Sequence, residues 1–239
     1  MPTELQSKKT CQLILALDIE DKDEGLALLE RIGEQLEWVK IGLQMFTRYG
    51  PDYVRQVAAL GKKIFLDLKL HDIPNTVAKA VESVGVLPIQ MLTIHTCGGK
   101  EMMEWAIQAQ QKANPELQLL GVTVLTSMDT DSLRLLGINE SPAERVAGLA
   151  SLAKEAGMSG LVCSSHEVEL LKQNFGDQFK LVTPGVRPAG SDAGDQKRIM
   201  TPSKAAEAGS DFIVIGRPIY QAEDPAALIK TIKTELRVK

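Results

Sequence analysis

Three charged side chains stand close together in the segment FLDLKLHDIPNT, residues 65–76, which begins as an apolar strand. Asp67 and Lys69 are two residues apart, and strand residues with that spacing share one face, so we expect the two side chains side by side. Asp72 follows shortly afterwards. An ammonium held among carboxylates can stabilise a developing anion or transfer a proton, so the segment indicates electrostatic and acid–base chemistry.

Two further charges belong to neighbouring apolar runs. Lys40 lies inside WVKIGL, and Asp18 closes the run QLILALD. Because an unpaired ammonium is expensive to bury, Lys40 is expected to have carboxylate neighbours. For any one of these residues, a buried ion-pair network that only stabilises the fold is an equally good interpretation. The joint occurrence of Asp18, Lys40, Asp67 and Lys69 at the ends of three neighbouring strands favours catalysis.

Short apolar runs that alternate with stretches of helical period must position these charges. The predicted strands cover residues 12–18, 38–43, 63–70, 91–96, 119–127, 160–165, 180–186 and 212–218. Eight strand-then-helix units in 239 residues predict an α/β fold, a single (β/α)₈ or TIM barrel. An open doubly wound sheet is the alternative, but it normally carries a G-x-G-x-x-G turn, and none follows Asp18. No linker or repeat divides the chain, which predicts one catalytic domain over residues 1–239.

Composition excludes several classes of partner. A net charge of −4 and a pI near 5.5 argue against a nucleic-acid-binding or membrane-binding surface, since both need a positive potential. The sequence has neither an export signal nor an apolar run long enough for a membrane span. Its three cysteines are widely spaced, which predicts small apolar core residues in a reducing cytoplasm. The three histidines are far apart in order, so we expect no metal site.

The segment DLKLHDIPNT resembles the D-x-K-x-x-D-I-x-N-T signature of the orotidine 5′-phosphate decarboxylase family. Further motifs come in the order typical of that family: LALD, VKIG, VLTS at 124–127, VTPGVR at 182–187, GDQKR at 194–198 and IGRPI at 215–219. The resemblance covers nearly the whole chain. It implies conversion of orotidine 5′-phosphate to UMP and carbon dioxide, in pyrimidine biosynthesis, without metal or cofactor.

The resemblance also implies a homodimer of barrels with active sites at the subunit interface. Lys40, Asp67 and Lys69 would come from one chain, while Asp72, Ile73 and Thr76 would reach into the site of the other. The charges then alternate in sign, and Lys69 is the residue expected to stabilise the carbanion at C6 of the pyrimidine and to protonate it.

The remaining implied contacts hold the nucleotide. Asp18 and Lys40 would meet the ribose hydroxyls, and Thr126 or Ser127 the pyrimidine edge, although hydroxyls at a strand end are ordinarily no more than that. TPGVR and IGRP lie at the ends of the seventh and eighth predicted strands, and barrels commonly bind phosphate in the loops that follow these strands. Arg187, Gly216 and Arg217 are the phosphate contacts expected there, and Pro184 is a further substrate-binding residue. Gln196, in the long connection 187–200, would reach the nucleotide from a closing loop.

Two other functions stay open at this point. Decarboxylases and aldolases that act on sugar phosphates share the barrel and a related D-x-K element, but some of them use Mg²⁺ and a glutamate where this chain has Lys40. A catalytically silent nucleotide-binding protein is expected to lack one of the array charges, and none is missing here.

Overall fold

Eight parallel strands close into a barrel in the computed structural model, which describes residues 10–188 and 200–237. Each strand pairs with the next along the chain, and β8 pairs with β1 to complete the ring. The strands are β1 Gln12–Ala16, β2 Trp38–Gly42, β3 Lys63–Leu70, β4 Met91–His95, β5 Gln118–Val122, β6 Gly160–Val162, β7 Lys180–Thr183 and β8 Phe212–Ile215. The predicted α/β barrel is confirmed.

Helices follow the strands and cover the barrel from outside. Within the described residues they are α1 Lys22–Ile32, α2 Leu43–Ala59, α3 Pro74–Gly85, α4 Lys100–Ala113, α5 Thr130–Leu135, α6 Pro142–Ala156, α7 Val168–Phe175, α8 Pro202–Glu207, α9 Arg217–Tyr220 and α10 Pro225–Glu235. The sequence punctuates their ends: Ser141 and Glu144 form a capping box at the start of α6, and Gly157 ends it in the left-handed region. These local signals set where α6 begins and ends.

Side chains of the strands alternate between two apolar clusters. One cluster fills the barrel interior and consists of Ile14, Ala16, Trp38, Phe65, Met91, Leu120, Val182, Phe212 and Val214. Residues between them, such as Leu15 and Leu66, belong to the larger cluster between the barrel and its helices. Because both faces of a parallel barrel strand are buried, the strands read as continuous apolar runs. A charge at an inward position therefore needs a partner there.

Several predicted strands extend too far. The first, fifth, seventh and eighth end at Ala16, Val122, Thr183 and Ile215, and the residues that follow lie in loops at the carboxyl end of the barrel. The apolar residues of these loops pack over the barrel rim, so hydrophobicity alone does not reveal where hydrogen-bonded pairing stops. Cys11 and Cys163 are buried as predicted, but Cys97 is exposed, so the prediction of a core position is wrong for that residue. No helix among the described residues has the length and apolarity needed to span a membrane.

Candidate active site

A cavity of about 510 Å³ opens at the carboxyl ends of the strands, within the range of about 300–1,000 Å³ usual for small-molecule sites. Its floor includes apolar barrel residues such as Phe65 and Val214. Predicted site residues from six strand ends line it together: Asp18, Lys40, Asp67, Lys69, Thr126, Ser127, Pro184, Arg187, Gly216 and Arg217. The barrel thus gathers residues that are up to about 200 positions apart in the chain.

The Asp67 carboxylate lies between two ammonium groups. Its Oδ2 is 2.7 Å from Lys69 Nζ and 3.6 Å from Lys40 Nζ. Lys40 Nζ also donates to both carboxylate oxygens of Asp18, at 3.2 and 3.3 Å. The sequence prediction that Lys40 has carboxylate neighbours is therefore correct. The four groups form one chain of alternating charge across the ends of β1, β2 and β3.

Burial and charge act in opposite directions on Asp67, which is only 7% exposed. Burial raises the pKa of its carboxyl group, whereas Lys40, Lys69 and the hydrogen bonds from Lys69 and Thr93 lower it; the net result is a pKa below the ordinary value. The carboxylate is consequently held in its charged form. A charged Asp67 in turn compensates the ammonium group of Lys69, and it shares with Asp18 the compensation of Lys40.

The backbone of β3 departs from a regular strand next to Lys69. Leu66 pairs with Leu92 and Leu70 with Ile94, so β3 advances four residues where β4 advances two. Lys69 has φ of 51°, and among the described residues it is the one non-glycine residue with positive φ. Such backbone costs about 1–3 kcal/mol and persists where surrounding structure imposes it. Simple alternation thus predicts the proximity of Asp67 and Lys69 correctly but misses the bulge that produces it.

Gly42, at the end of β2, lies against the same ion pairs. A Cβ atom added there would be 2.8 Å from Lys40 Nζ and 2.9 Å from Asp18 Oδ1, closer than real Cβ contacts. The motif VKIG contains Gly42, but the sequence alone gives this glycine no role, because VKIG has the pattern of a buried strand. Only the folded barrel shows that the absence of a side chain leaves room for the Lys40–Asp18 pair.

Cations also gather at the cavity wall after β7 and β8, and β8 is the neighbour of β1 in the ring. The pKa of Arg187 is lowered, first by burial and second by the positive charge of Arg217. Two neighbouring guanidinium groups at a cavity wall favour an anionic ligand, and arginine can meet a phosphate through two parallel hydrogen bonds. Gly216 is packed closely, since a Cβ atom there would be 3.3 Å from Ala16 Cβ. The predicted phosphate residues are therefore together, around a backbone that tolerates little added bulk.

Three predicted site residues lie outside this cavity. Asp72, Ile73 and Thr76 are exposed on the loop after β3 and the start of α3, and Asp72 Oδ1 accepts the Ile73 N–H at 2.7 Å. Their predicted contact with the site of a neighbouring chain stays a prediction. Gln196 lies outside the described residues.

The sequence did not identify two of the residues that line the cavity. Gln44 and Tyr220 line the wall, and Tyr220 responds to the charges of Asp18, Arg217, Arg187 and Lys40: burial raises the pKa of its hydroxyl first, and Asp18 raises it further. The IGRPIY motif contains Tyr220 and could have indicated it. Among residues 10–188 and 200–237, no cluster of three or more His, Cys, Asp or Glu could hold a metal ion.

Comparison with known proteins defines the family. A profile described as orotidine 5′-phosphate decarboxylase / HUMPS family matches residues 11–232. The chain belongs to this family. A relative from Opitutus terrae named orotidine 5′-phosphate decarboxylase is 54% identical over 227 residues, which cover 95% of this chain and 99% of the relative. A relative of the same name from Pseudoalteromonas translucida is 48% identical over 230 residues, with 96% and 98% covered.

A solved structure supports the same family membership. The crystal structure of orotidine 5′-phosphate decarboxylase from Lactobacillus acidophilus matches with a TM-score of 0.85 and 38% identity, covering 96% of this chain and 100% of that one. Family membership and full-length similarity make this chain a carboxy-lyase, and they do not favour the sugar-phosphate alternative.

Replacement of Gly42 by alanine should disturb the Lys40–Asp18 pair without unfolding the barrel. The new methyl group overlaps both charged groups, so we expect Lys40 Nζ to move beyond 4 Å from Asp18 and decarboxylase kcat/KM to fall about tenfold, or ~1.4 kcal/mol. The matched control is Gly148→Ala in α6, where nothing lies within 4 Å of the added atom. A crystal structure of Gly42→Ala with an unchanged ion pair would contradict this expectation.

The lowered pKa of Asp67 should appear in the pH dependence of stability. The unfolded carboxyl binds a proton at higher pH than the folded one, so stability rises with pH between the two pKa values. The contribution is complete above the unfolded pKa of about 4 and disappears as pH falls through the lower folded pKa. Denaturant unfolding of the wild type and Asp67→Asn should therefore give curves that converge at acid pH. Asp52→Asn, at an exposed ion pair with Arg55, should show no comparable convergence.

Proposed function

We propose that this cavity converts orotidine 5′-phosphate to UMP and carbon dioxide, with Lys69 as the group that stabilises and protonates C6. The observation that carries the proposal is the Asp67 carboxylate between Lys40 and Lys69, at 3.6 and 2.7 Å from their nitrogens. The relatives named orotidine 5′-phosphate decarboxylase support the reaction, and the charged array supports the roles of individual residues.

The reaction needs electrostatic stabilisation of a carbanion at C6. When the bond between C6 and the carboxylate carbon breaks, the electron pair stays in the plane of the ring, out of conjugation with the carbonyl groups. The substrate itself offers no electron sink. An ammonium already oriented towards C6 lowers the energy of this localised anion without the reorganisation that water would need. Transfer of a proton from Lys69 Nζ to C6 then completes UMP.

Asp67 has two parts in this scheme. It orients both ammonium groups, and it lies near the carboxylate that leaves. Two like unit charges about 4 Å apart repel by roughly 4 kcal/mol at an effective dielectric of 20, and the departure of neutral carbon dioxide relieves that repulsion. We rank stabilisation of the carbanion first and ground-state repulsion second, because the first acts directly on the charge that develops.

The order of residues around the barrel matches the order of groups along the nucleotide. Because β8 pairs with β1, the ring runs from β7 and β8 through β1 and β2 to β3. Arg187, Gly216 and Arg217 follow β7 and β8 and suit the phosphate. Asp18 and Lys40, from β1 and β2, suit the ribose hydroxyls that come next, and Lys69 on β3 suits C6.

In the proposed pose, the pyrimidine edge contacts Thr126 or Ser127. Thr126 and Ser127 line the cavity from the loop after β5, four strands from β1 in the ring, and Pro184 lines the wall after β7. Gln196 would add a contact to the nucleotide from a loop proposed to close over it. Binding energy from the phosphate, which does not react, would drive that closure and exclude water from the charged array.

A second copy of the chain would complete each site. Of the large hydrophobic side chains exposed in the described residues, most follow the carboxyl ends of β2, β3 and β5: Leu43, Ile73, Leu125, Leu135 and Leu136. Exposed apolar side chains on the connections that follow active-site strands support a protein interface there. Asp72, with Ile73 and Thr76, would then enter the partner's site and extend its alternating charges. We place this homodimer in the cytoplasm, where three free cysteines stay reduced.

No observation favours the sugar-phosphate reaction. The family description includes HUMPS proteins, but Lys40 occupies the position at which some enzymes with that chemistry have a glutamate and bind Mg²⁺. In this chain the position is part of an ion-pair chain that already balances its charges. The proposed reaction needs no metal and no cofactor.

Decarboxylation should be visible as a change in ultraviolet absorbance when the protein is mixed with orotidine 5′-phosphate and a chelator. We expect full turnover with the chelator present, and loss of at least three orders of magnitude of kcat in Lys69→Ala, since the amine acts on the transition state. The variant should still bind UMP. Dependence on added Mg²⁺, or a variant with a tenth of the wild-type rate, would refute these roles.

A mixing experiment tests the shared sites. Lys69→Ala and Asp72→Ala should each be inactive as homodimers, but in a mixed dimer one site carries both lesions and the other carries none. Equal amounts that exchange subunits at random should therefore recover about one quarter of wild-type activity. If Asp72 acted within its own chain, mixing would recover nothing. Unmixed variants, treated identically, are the control.

A further inference from the structure

Thr93, on β4, contacts both central residues of the charged array. Its side chain is fully buried, at 0% exposed. The hydroxyl donates to Asp67 Oδ1 at 2.9 Å and accepts the backbone N–H of Lys69 at 2.8 Å. One side-chain oxygen thus bridges the carboxylate of one residue and the main chain of the other.

The strand pairing explains why this position is special. Between the pairs Leu66–Leu92 and Leu70–Ile94, β3 has three residues, Asp67 to Lys69, and β4 has only Thr93. The bulged residues have no regular ladder partner there. The Lys69 N–H, in a residue with φ of 51°, is satisfied by the Thr93 side chain instead of a backbone carbonyl. The Thr93 hydroxyl therefore accepts a hydrogen bond that a backbone carbonyl accepts in a regular strand pair.

We propose that Thr93 is a positioning residue for decarboxylation, which holds the Asp67 carboxylate and the Lys69 backbone in the geometry that directs the Lys69 amine. The inference rests on the proposed role of Lys69. Thr93 does not line the cavity and touches no reacting atom; it acts through its two neighbours.

The directions of the hydrogen bonds support this role. Because the hydroxyl accepts from Lys69, its single proton is free for Asp67, so the two bonds reinforce one arrangement. With Oδ1 fixed by Thr93, Oδ2 faces the nitrogens of Lys40 and Lys69 at 3.6 and 2.7 Å. Loss of the hydroxyl would leave a buried carboxylate oxygen and a backbone N–H without this partner, and the carboxylate could then rotate. A catalytic group displaced by about 1 Å loses roughly 100-fold in rate.

Substitution by valine tests the proposal, because it keeps the shape of the side chain and removes the hydroxyl. We expect kcat of Thr93→Val to fall about 100-fold while KM changes less than about threefold, since the nucleotide contacts are untouched. The acid limb of the kcat/KM profile should move to higher pH, because the hydroxyl contributes to the low pKa of Asp67. Thr93→Ser, which keeps the hydroxyl, should restore kcat to within about tenfold of wild type.

A buried threonine elsewhere in the barrel provides the control. Thr183 on β7 is also 0% exposed, and its hydroxyl bonds to the Phe212 carbonyl at 3.0 Å, away from Asp67 and Lys69. Thr183→Val should lower the melting temperature and leave kcat unchanged. If Thr93→Val does not fold, the pair Thr93→Ser and Thr93→Ala isolates the hydroxyl, and the same difference in kcat is expected.

The possible results distinguish failure of the positioning role of Thr93 from failure of the proposed function. Equal loss of kcat in Thr93→Val and Thr183→Val would refute the positioning role, and so would a serine variant as slow as the variant without a hydroxyl. Thr93→Val with kcat within about threefold of wild type would refute it as well. Failure of the proposed function is recognised differently, by a wild-type protein that does not decarboxylate orotidine 5′-phosphate or does so equally well without Lys69.

Discussion

The site depends on a single buried carboxylate shared by two ammonium groups. Asp67 is nearly inaccessible, and neither it nor Lys40 could be buried alone without a penalty of several kcal/mol. Together with Asp18 and Lys69 they form a series in which each charge has a neighbour of opposite sign. The balance holds the Lys69 amine at the edge of the cavity, where the proposed mechanism has it act on a developing anion in a low dielectric.

The closed barrel makes this balance possible because it brings the ends of distant strands to one rim. An apolar interior forms the floor, so the charged groups have little access to water from below. The ring order of the strands also separates two electrostatic tasks. In the proposed pose Arg187 and Arg217, after β7 and β8, provide positive charge for the phosphate, whereas the alternating array lies on β1 to β3. Binding and chemistry can therefore be tuned by different loops.

Much of this arrangement could be predicted from the sequence, because parallel strands and clustered charges leave strong local patterns. The barrel, the cavity positions of Asp67 and Lys69 and the grouping of the arginines follow from apolar runs and motif order. The strand ends, the bulge in β3, the space that Gly42 leaves and the two hydrogen bonds of Thr93 could not be predicted from the sequence. Those features depend on how β3 meets β4 and β1 meets β2 in space, and a threonine or glycine inside an apolar run carries no sign of what lies opposite it.

The left-handed backbone of Lys69 has a consequence for the stability of the chain. A non-glycine residue in that region carries a standing penalty of about 1–2 kcal/mol, which glycine would relieve. Under the proposed mechanism, Lys69→Gly would relieve this penalty and at the same time remove the reacting amine. The strained lysine is then a position at which the chain gives up stability for activity.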